Sequence, residues 1–156
     1  MARVRQERKI MDKHDLSQNK QPKILVFSTN NISDVGIDLA GSSHMDYPTT
    51  VQVLAVPCSS GINPVWILHA LETGFDGVFI AADGGDCPYV PNCTERTAKI
   101  VEQAQQLFGA KYDARRVKMG AICSVCSESF VNLIKQFSKA LAELSQSPGK
   151  SPEEEH

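Results

Sequence analysis

Five cysteines hold most of the chemistry this sequence can offer: Cys58, Cys87, Cys93, Cys123 and Cys126. Soft thiolate sulfur selects iron-sulfur clusters and zinc, and spacing alone does not separate the two. The shortest interval, Cys123-Ser124-Val125-Cys126, lets both sulfurs reach one metal centre, although one such pair is a weaker sign than two in tandem. The same pair also reads as a thioredoxin-like dithiol, in which a helix amino terminus lowers a thiol pKa. Its place before the last helix, rather than near the first, argues against that reading. Taken singly, any of the five is at least as well explained as a small buried apolar side chain.

Other candidate chemistry is thinner. The loop Asp83-Gly84-Gly85-Asp86-Cys87-Pro88 is either a plain turn or a means of bringing backbone amides to a cofactor. It lacks the lysine of a phosphate-binding loop, and its two aspartates repel phosphate. His14, His44, His69 and His156 are scattered, with no Ser-His-Asp or His-Glu-x-x-His arrangement, so a hydrolase has no support. Trp66 and His69 read as packing or helix-surface residues.

The elements that position these groups follow from hydrophobic period. Short β-branched runs at residues 23–28, 51–57, 77–81 and 116–122 read as strands apolar enough to be covered on both faces. Helical patterns fill the gaps. One from Asp34 to about Met45 is weakened by Gly36 and Gly41; a second opens at Asn63-Pro64 and ends near Gly74. A third spans residues 94–108 and stops at Gly109, and a fourth spans about 127–144. The pattern predicts an α/β fold: an open, mainly parallel four-stranded sheet flanked by helices in three layers, of Rossmann or flavodoxin type. All five cysteines then follow carboxyl ends of strands, the edge at which loops converge and ligands bind, and five thiols at one edge favour ligation.

A chain of 156 residues is about one domain. With 42% hydrophobic residues, 22% charged and a net charge of -2, it has neither a disordered composition nor a general attraction for nucleic acid. No apolar run approaches the roughly 20 residues of a membrane span, and the basic start lacks the apolar region of a secretory signal, so the cytoplasm and reduced thiols are expected. Residues 1–22 read as a mobile basic arm able to dock an acidic patch, residues 23–144 as the single domain, and 145–156 as a flexible polar tail.

Lys23-Ile24-Leu25-Val26-Phe27-Ser28 and Val35-Gly36-Ile37-Asp38-Leu39-Ala40-Gly41 resemble the opening of the methyl-viologen-reducing hydrogenase delta-subunit family. Met45-Asp46-Tyr47-Pro48, Cys58-Ser59, Asn63-Pro64, Gly77-Val78 and Gly85-Asp86-Cys87-Pro88-Tyr89 match its later landmarks in order and spacing. The resemblance implies a small cytoplasmic protein carrying an iron-sulfur cluster, [2Fe-2S] by preference. It would relay electrons from a hydrogenase or formate dehydrogenase-like donor to the flavin- and iron-sulfur-containing subunit of a heterodisulfide-reductase-like complex, without being an enzyme on its own.

The sequence departs from the family where ligands are expected. The family's early Cys-x-x-Cys falls on Thr29 and Ile32, and a further cysteine falls on Ala82; only Cys58 and Cys87 match. Two readings follow. In one, a cluster survives on Cys58, Cys87, Cys123 and Cys126, with Cys93 available as a further ligand. In the other, the chain is a clusterless or zinc-bound structural adaptor of the same complex.

Overall fold

A computed structural model describes residues 20–30, 32–84 and 87–146. Four strands, β1 (Ile24–Thr29), β2 (Val51–Val56), β3 (Gly77–Ala82) and β4 (Val117–Ala121), form one sheet in the order β2-β1-β3-β4. Every pairing is parallel, which sharpens the mainly parallel sheet expected from sequence. Helices α1 (Ser33–Ser42), α2 (Pro64–Glu72), α3 (Cys93–Phe108) and α4 (Ser127–Gln146) make the crossovers and the closing layer. Each begins and ends within a few residues of the position its apolar period predicts, and α4 extends two residues into the stretch read as polar tail. The rest of that tail and most of the basic arm lie outside the described residues.

Parallel strands need crossovers, and crossovers cover both sheet faces. One layer packs Ile37 and Ala40 of α1 and Phe130, Ile134, Phe137 and Leu141 of α4 on Ile24, Val26, Phe79 and Ala81. The other packs Ile67, Ala70 and Leu71 of α2 and Ile100, Ala104 and Phe108 of α3 on Phe27, Val78 and Ile80. Fully buried Phe79, Phe130 and Phe137 each contribute about 1.5–3 kcal/mol by leaving water. Asn63 caps α2, its Oδ1 accepting from the Val65 amide at 2.9 Å with Pro64 in the first turn.

Full coverage of every strand does not hold. β1 and β3 are central and nearly all buried, whereas β2 is an edge strand whose four inner residues are exposed, Leu54 by 50%. Its apolar run looks like a core strand because local sequence does not encode edge position. Gly36 does not interrupt α1. A Cβ there would lie 2.5 Å from the Cys123 carbonyl oxygen, so glycine is what lets α1 approach the loop after β4.

The strand ends are nearly level, with Thr29 opposite Val56, Ser28 opposite Ala81, and Ala82 opposite Ala121. The chain leaves β1 toward β2 on one side and returns across it to β3. The gap between the carboxyl ends of β1 and β3 is therefore the switch point of a doubly wound sheet, where loops diverge and leave a crevice.

Candidate functional site

Thr29 closes β1 and Asp83 follows β3, so the two face each other across the switch point. The Thr29 hydroxyl donates to Asp83 Oδ1. The Thr29 amide donates to Ser33 Oγ at 2.7 Å, and Ser33 Oγ donates to the Ala81 carbonyl at 2.9 Å, tying the first turn of α1 to both central strands. Asp83 is only 3% exposed. Its Oδ2 accepts from the Cys87 thiol at 3.5 Å, and its carbonyl accepts from Thr94 Oγ1 at 3.1 Å. Ion pairs among the described residues join Lys111 to Glu72 and Arg115 to Asp113, and neither involves Asp83.

One further thiol, Cys93, closes on this carboxylate, and Cys58 reaches the group through Cys93. Cys58 caps a 3-10 turn (Ser59–Gly61) just past β2. Cys93 is the first residue of α3 rather than a loop residue, because Asn92, in the left-handed region at φ 56°, turns the chain into the helix one residue earlier than expected. The two sulfurs lie 3.8 Å apart. Ser60 Oγ lies 3.0 Å from Cys58 Sγ, and Ser59 Oγ lies 3.5 Å from Cys93 Sγ and 3.0 Å from Thr97 Oγ1. Ligand atoms of Asp83, Cys87 and Cys93 all fall within 4.8 Å of one another.

The Cys58 and Cys93 thiols are not equivalent. Burial opposes ionisation of Cys58, yet hydrogen bonds from the Ser60 hydroxyl and amide and from Cys93 together hold its thiol below the usual value. Burial pushes Cys93 up; Ser59 opposes this, and the neighbouring Cys58 and Cys87 add to the rise. Cys58 is therefore the first of the two to become a thiolate.

Of the residues expected to ligate, Cys87 and Cys93 come together beside Asp83, and Cys58 joins them through its contact with Cys93. Cys123 and Cys126 are instead joined to each other in a disulfide, which corrects the expectation that all five thiols stay reduced. Their turn, closed by a 3.1 Å bond from the Cys126 amide to the Cys123 carbonyl, holds the two Cα atoms 5.0 Å apart, within the usual disulfide range. Cys58 and Cys123 follow the opposite edge strands of the sheet, and three strand spacings separate those edges by about 14 Å. Cys126 also packs into the α1/α4 layer, whereas Cys58 and Cys93 meet where the β2 turn reaches α3. Gly85 and Asp86 of the glycine loop lie outside the described residues.

Sequence reasoning passed over Asp83 as a member of this group and did not pair Cys58 with Cys93. The signal for Asp83 was its place directly after the most apolar strand, which sets a carboxylate at the edge of a central strand. Thr29, Ile32 and Ala82 hold no sulfur. Thr29 is a buried hydrogen-bonding residue, Ile32 caps α1, and Ala82 is buried under the α2/α3 layer.

Fold and site together define a doubly wound α/β domain whose carboxyl edge gathers thiols around a buried carboxylate. Residues 24–145 match the methyl-viologen-reducing hydrogenase delta-subunit family, and the chain belongs to that family. It is 28% identical over 130 residues to the iron-sulfur D-subunit of the F420-non-reducing hydrogenase of Archaeoglobus profundus, covering 83% of this chain and 95% of that one. Over a shorter stretch of 75 residues it is 41% identical to the iron-sulfur D-subunit of the vhc F420-non-reducing hydrogenase of Methanococcus voltae, covering 47% and 52%. It is also 32% identical over 124 residues to the A-subunit of the ferredoxin:CoB-CoM heterodisulfide reductase of Methanosarcina mazei. That match covers 79% of this chain but spans only 16% of the longer relative.

Proposed function

We propose that this chain is a cytoplasmic, iron-sulfur-bearing electron-transfer subunit of a hydrogenase- or heterodisulfide-reductase-like complex. It passes electrons from a hydrogenase or formate dehydrogenase-like donor to a flavin- and iron-sulfur-containing subunit. The observation that carries the reading is the convergence of thiols with a buried carboxylate at the sheet's switch point, in a family whose relatives are named iron-sulfur subunits. No helix among the described residues is long and apolar enough to cross a membrane.

The donor set suits such a group. Three sulfurs supply soft ligands, and a buried carboxylate with no ion-pair partner among the described residues gains from a cation beside it. Cys58 and Cys87, the positions that match the family's cysteines, anchor the centre, and a cluster held there supplies one-electron uptake and release. The protein's own part is structural and electrostatic. The Ser60 hydroxyl favours the Cys58 thiolate, the Thr29 hydroxyl fixes the Asp83 carboxylate, and burial of Asp83 and Cys93 restricts water.

The test is iron, acid-labile sulfide and zinc content of protein purified without oxygen together with its native partners. Iron and sulfide in near-equal amounts, with absorption bleached on reduction, are expected. Zinc alone, or no metal in the intact complex, overturns the electron-relay reading in favour of a structural adaptor. One observation favours that adaptor: among the described residues no buried side-chain polar atom lacks a hydrogen-bond partner, so the Thr29-Ser33-Asp83 network is complete without a metal.

A further inference from the structure

We infer that Asp83 and Cys93, not Cys123 and Cys126, complete the metal site with Cys58 and Cys87, giving it three thiolates and one carboxylate. The inference rests on the metal-bearing reading above and specifies its ligands.

Two pairs of donor atoms stand at ligand spacing. Two thiolates on one tetrahedral metal, with bonds of about 2.3 Å, lie about 3.8 Å apart, and a thiolate and a carboxylate oxygen about 3.5 Å apart. Cys58 Sγ and Cys93 Sγ are separated by 3.8 Å, and Cys87 Sγ and Asp83 Oδ2 by 3.5 Å. The four side chains come from three places: the turn after β2, the loop after β3, and the first residue of α3. β1 lies between β2 and β3 in the sheet, and the turn after β2 reaches the other two places through α3, where Ser59 Oγ meets Thr97 Oγ1 at 3.0 Å.

Burial makes the carboxylate informative. An acidic group removed from water needs a cation or strong donors. Asp83 has one hydroxyl and one thiol, and the thiol is itself a potential ligand that gives up its proton when metal binds. A metal ion replaces those donors with positive charge. The amino-terminal end of α3, where Cys93 sits, adds a favourable field for the thiolates.

The arrangement also gives Thr29 a role. It occupies a position where the family resemblance places a cysteine, yet its hydroxyl grips the oxygen of Asp83 that does not face Cys87. Thr29 thus aims a ligand rather than being one, as outer hydrogen bonds commonly do around metal sites. Cys123 and Cys126 are engaged with each other and follow the far edge strand.

The experiment uses the full chain, reconstituted anaerobically with ferric iron and sulfide in one arm and with zinc in the other. Metal content and absorption spectra are read for wild type, Cys93→Ser, Asp83→Asn, Asp83→Cys and the double variant Cys123→Ser/Cys126→Ser. Loss of an outer hydrogen bond alone weakens metal binding about 10–100-fold. Cys93→Ser and Asp83→Asn are expected to weaken it at least that much, while the double serine variant keeps wild-type metal. Asp83→Cys is expected to retain metal with an altered spectrum, which separates lost ligation from lost folding. Metal retained in Asp83→Asn and Cys93→Ser but lost in the double serine variant overturns this ligand set while leaving the electron-relay reading intact. Binding of zinc but not iron, with the same variant pattern, upholds the ligand set and overturns the relay. A wild type that binds neither overturns both.

Discussion

Thiol chemistry in this site is graded by its neighbours. Only the thiolate is nucleophilic, so alkylation rises as pH climbs through each cysteine's pKa. In the metal-free chain Cys58 lies below the ordinary thiol value and Cys93 above it, one helped by Ser60 and the other held back by burial and by adjacent sulfur. Alkylation followed by peptide mass spectrometry across a pH series is therefore expected to label Cys58 first and Cys93 only at higher pH. Coincident pH profiles would contradict the assignment of Ser60 as the group that activates Cys58. The Ser60→Ala variant moves the Cys58 profile upward and leaves the fold intact, since Ser60 lies in a surface turn with its side chain directed at the sulfur.

At the scale of elements, two glycines in one helix are expected to behave oppositely. Gly36 faces the Cys123 carbonyl, and an added methyl group at 2.5 Å from a backbone oxygen forces α1 away from the sheet edge. Gly36→Ala is expected to destabilise by about 1–3 kcal/mol, as overpacking usually does. Gly41 has open space around it, and Gly41→Ala is expected to stabilise by about 0.4–1 kcal/mol by restricting the unfolded chain. Thermal melts of the two variants decide this, and a gain for Gly36→Ala would show that α1 does not need that approach. The same helix shows what was legible in sequence. Its existence, the Asn63-Pro64 start of α2 and the long apolar stripe of α4 follow from local period and capping, which are encoded over a few residues. The exposure of β2, the contact of Cys58 with Cys93 and the separation of Cys123 from Cys58 depend on the lateral order of strands, which no local pattern specifies. Asp83 was hidden for a related reason: as an aspartate in a glycine loop it reads as a turn residue until the neighbouring strand brings Thr29 to it.

For the whole molecule, the sheet separates two kinds of sulfur: free thiols beside the switch point, and a disulfide after the strand at the far edge. The outer strand at the other margin has a different consequence. β2 reads Val-Gln-Val-Leu-Ala-Val, with neither the lysine nor the proline that usually guards an open edge, and Leu54 and the nearby Trp66 are each half exposed. Produced without companions, the chain is expected to be a poor laboratory reagent, losing solubility as its concentration rises through edge-to-edge strand association. Leu54→Lys places a charge on that margin and is expected to raise the concentration at which the isolated chain stays monodisperse by sedimentation; no change would mean the margin is not adhesive. The strand that helps position Cys58 thus also limits how long the polypeptide keeps in a tube.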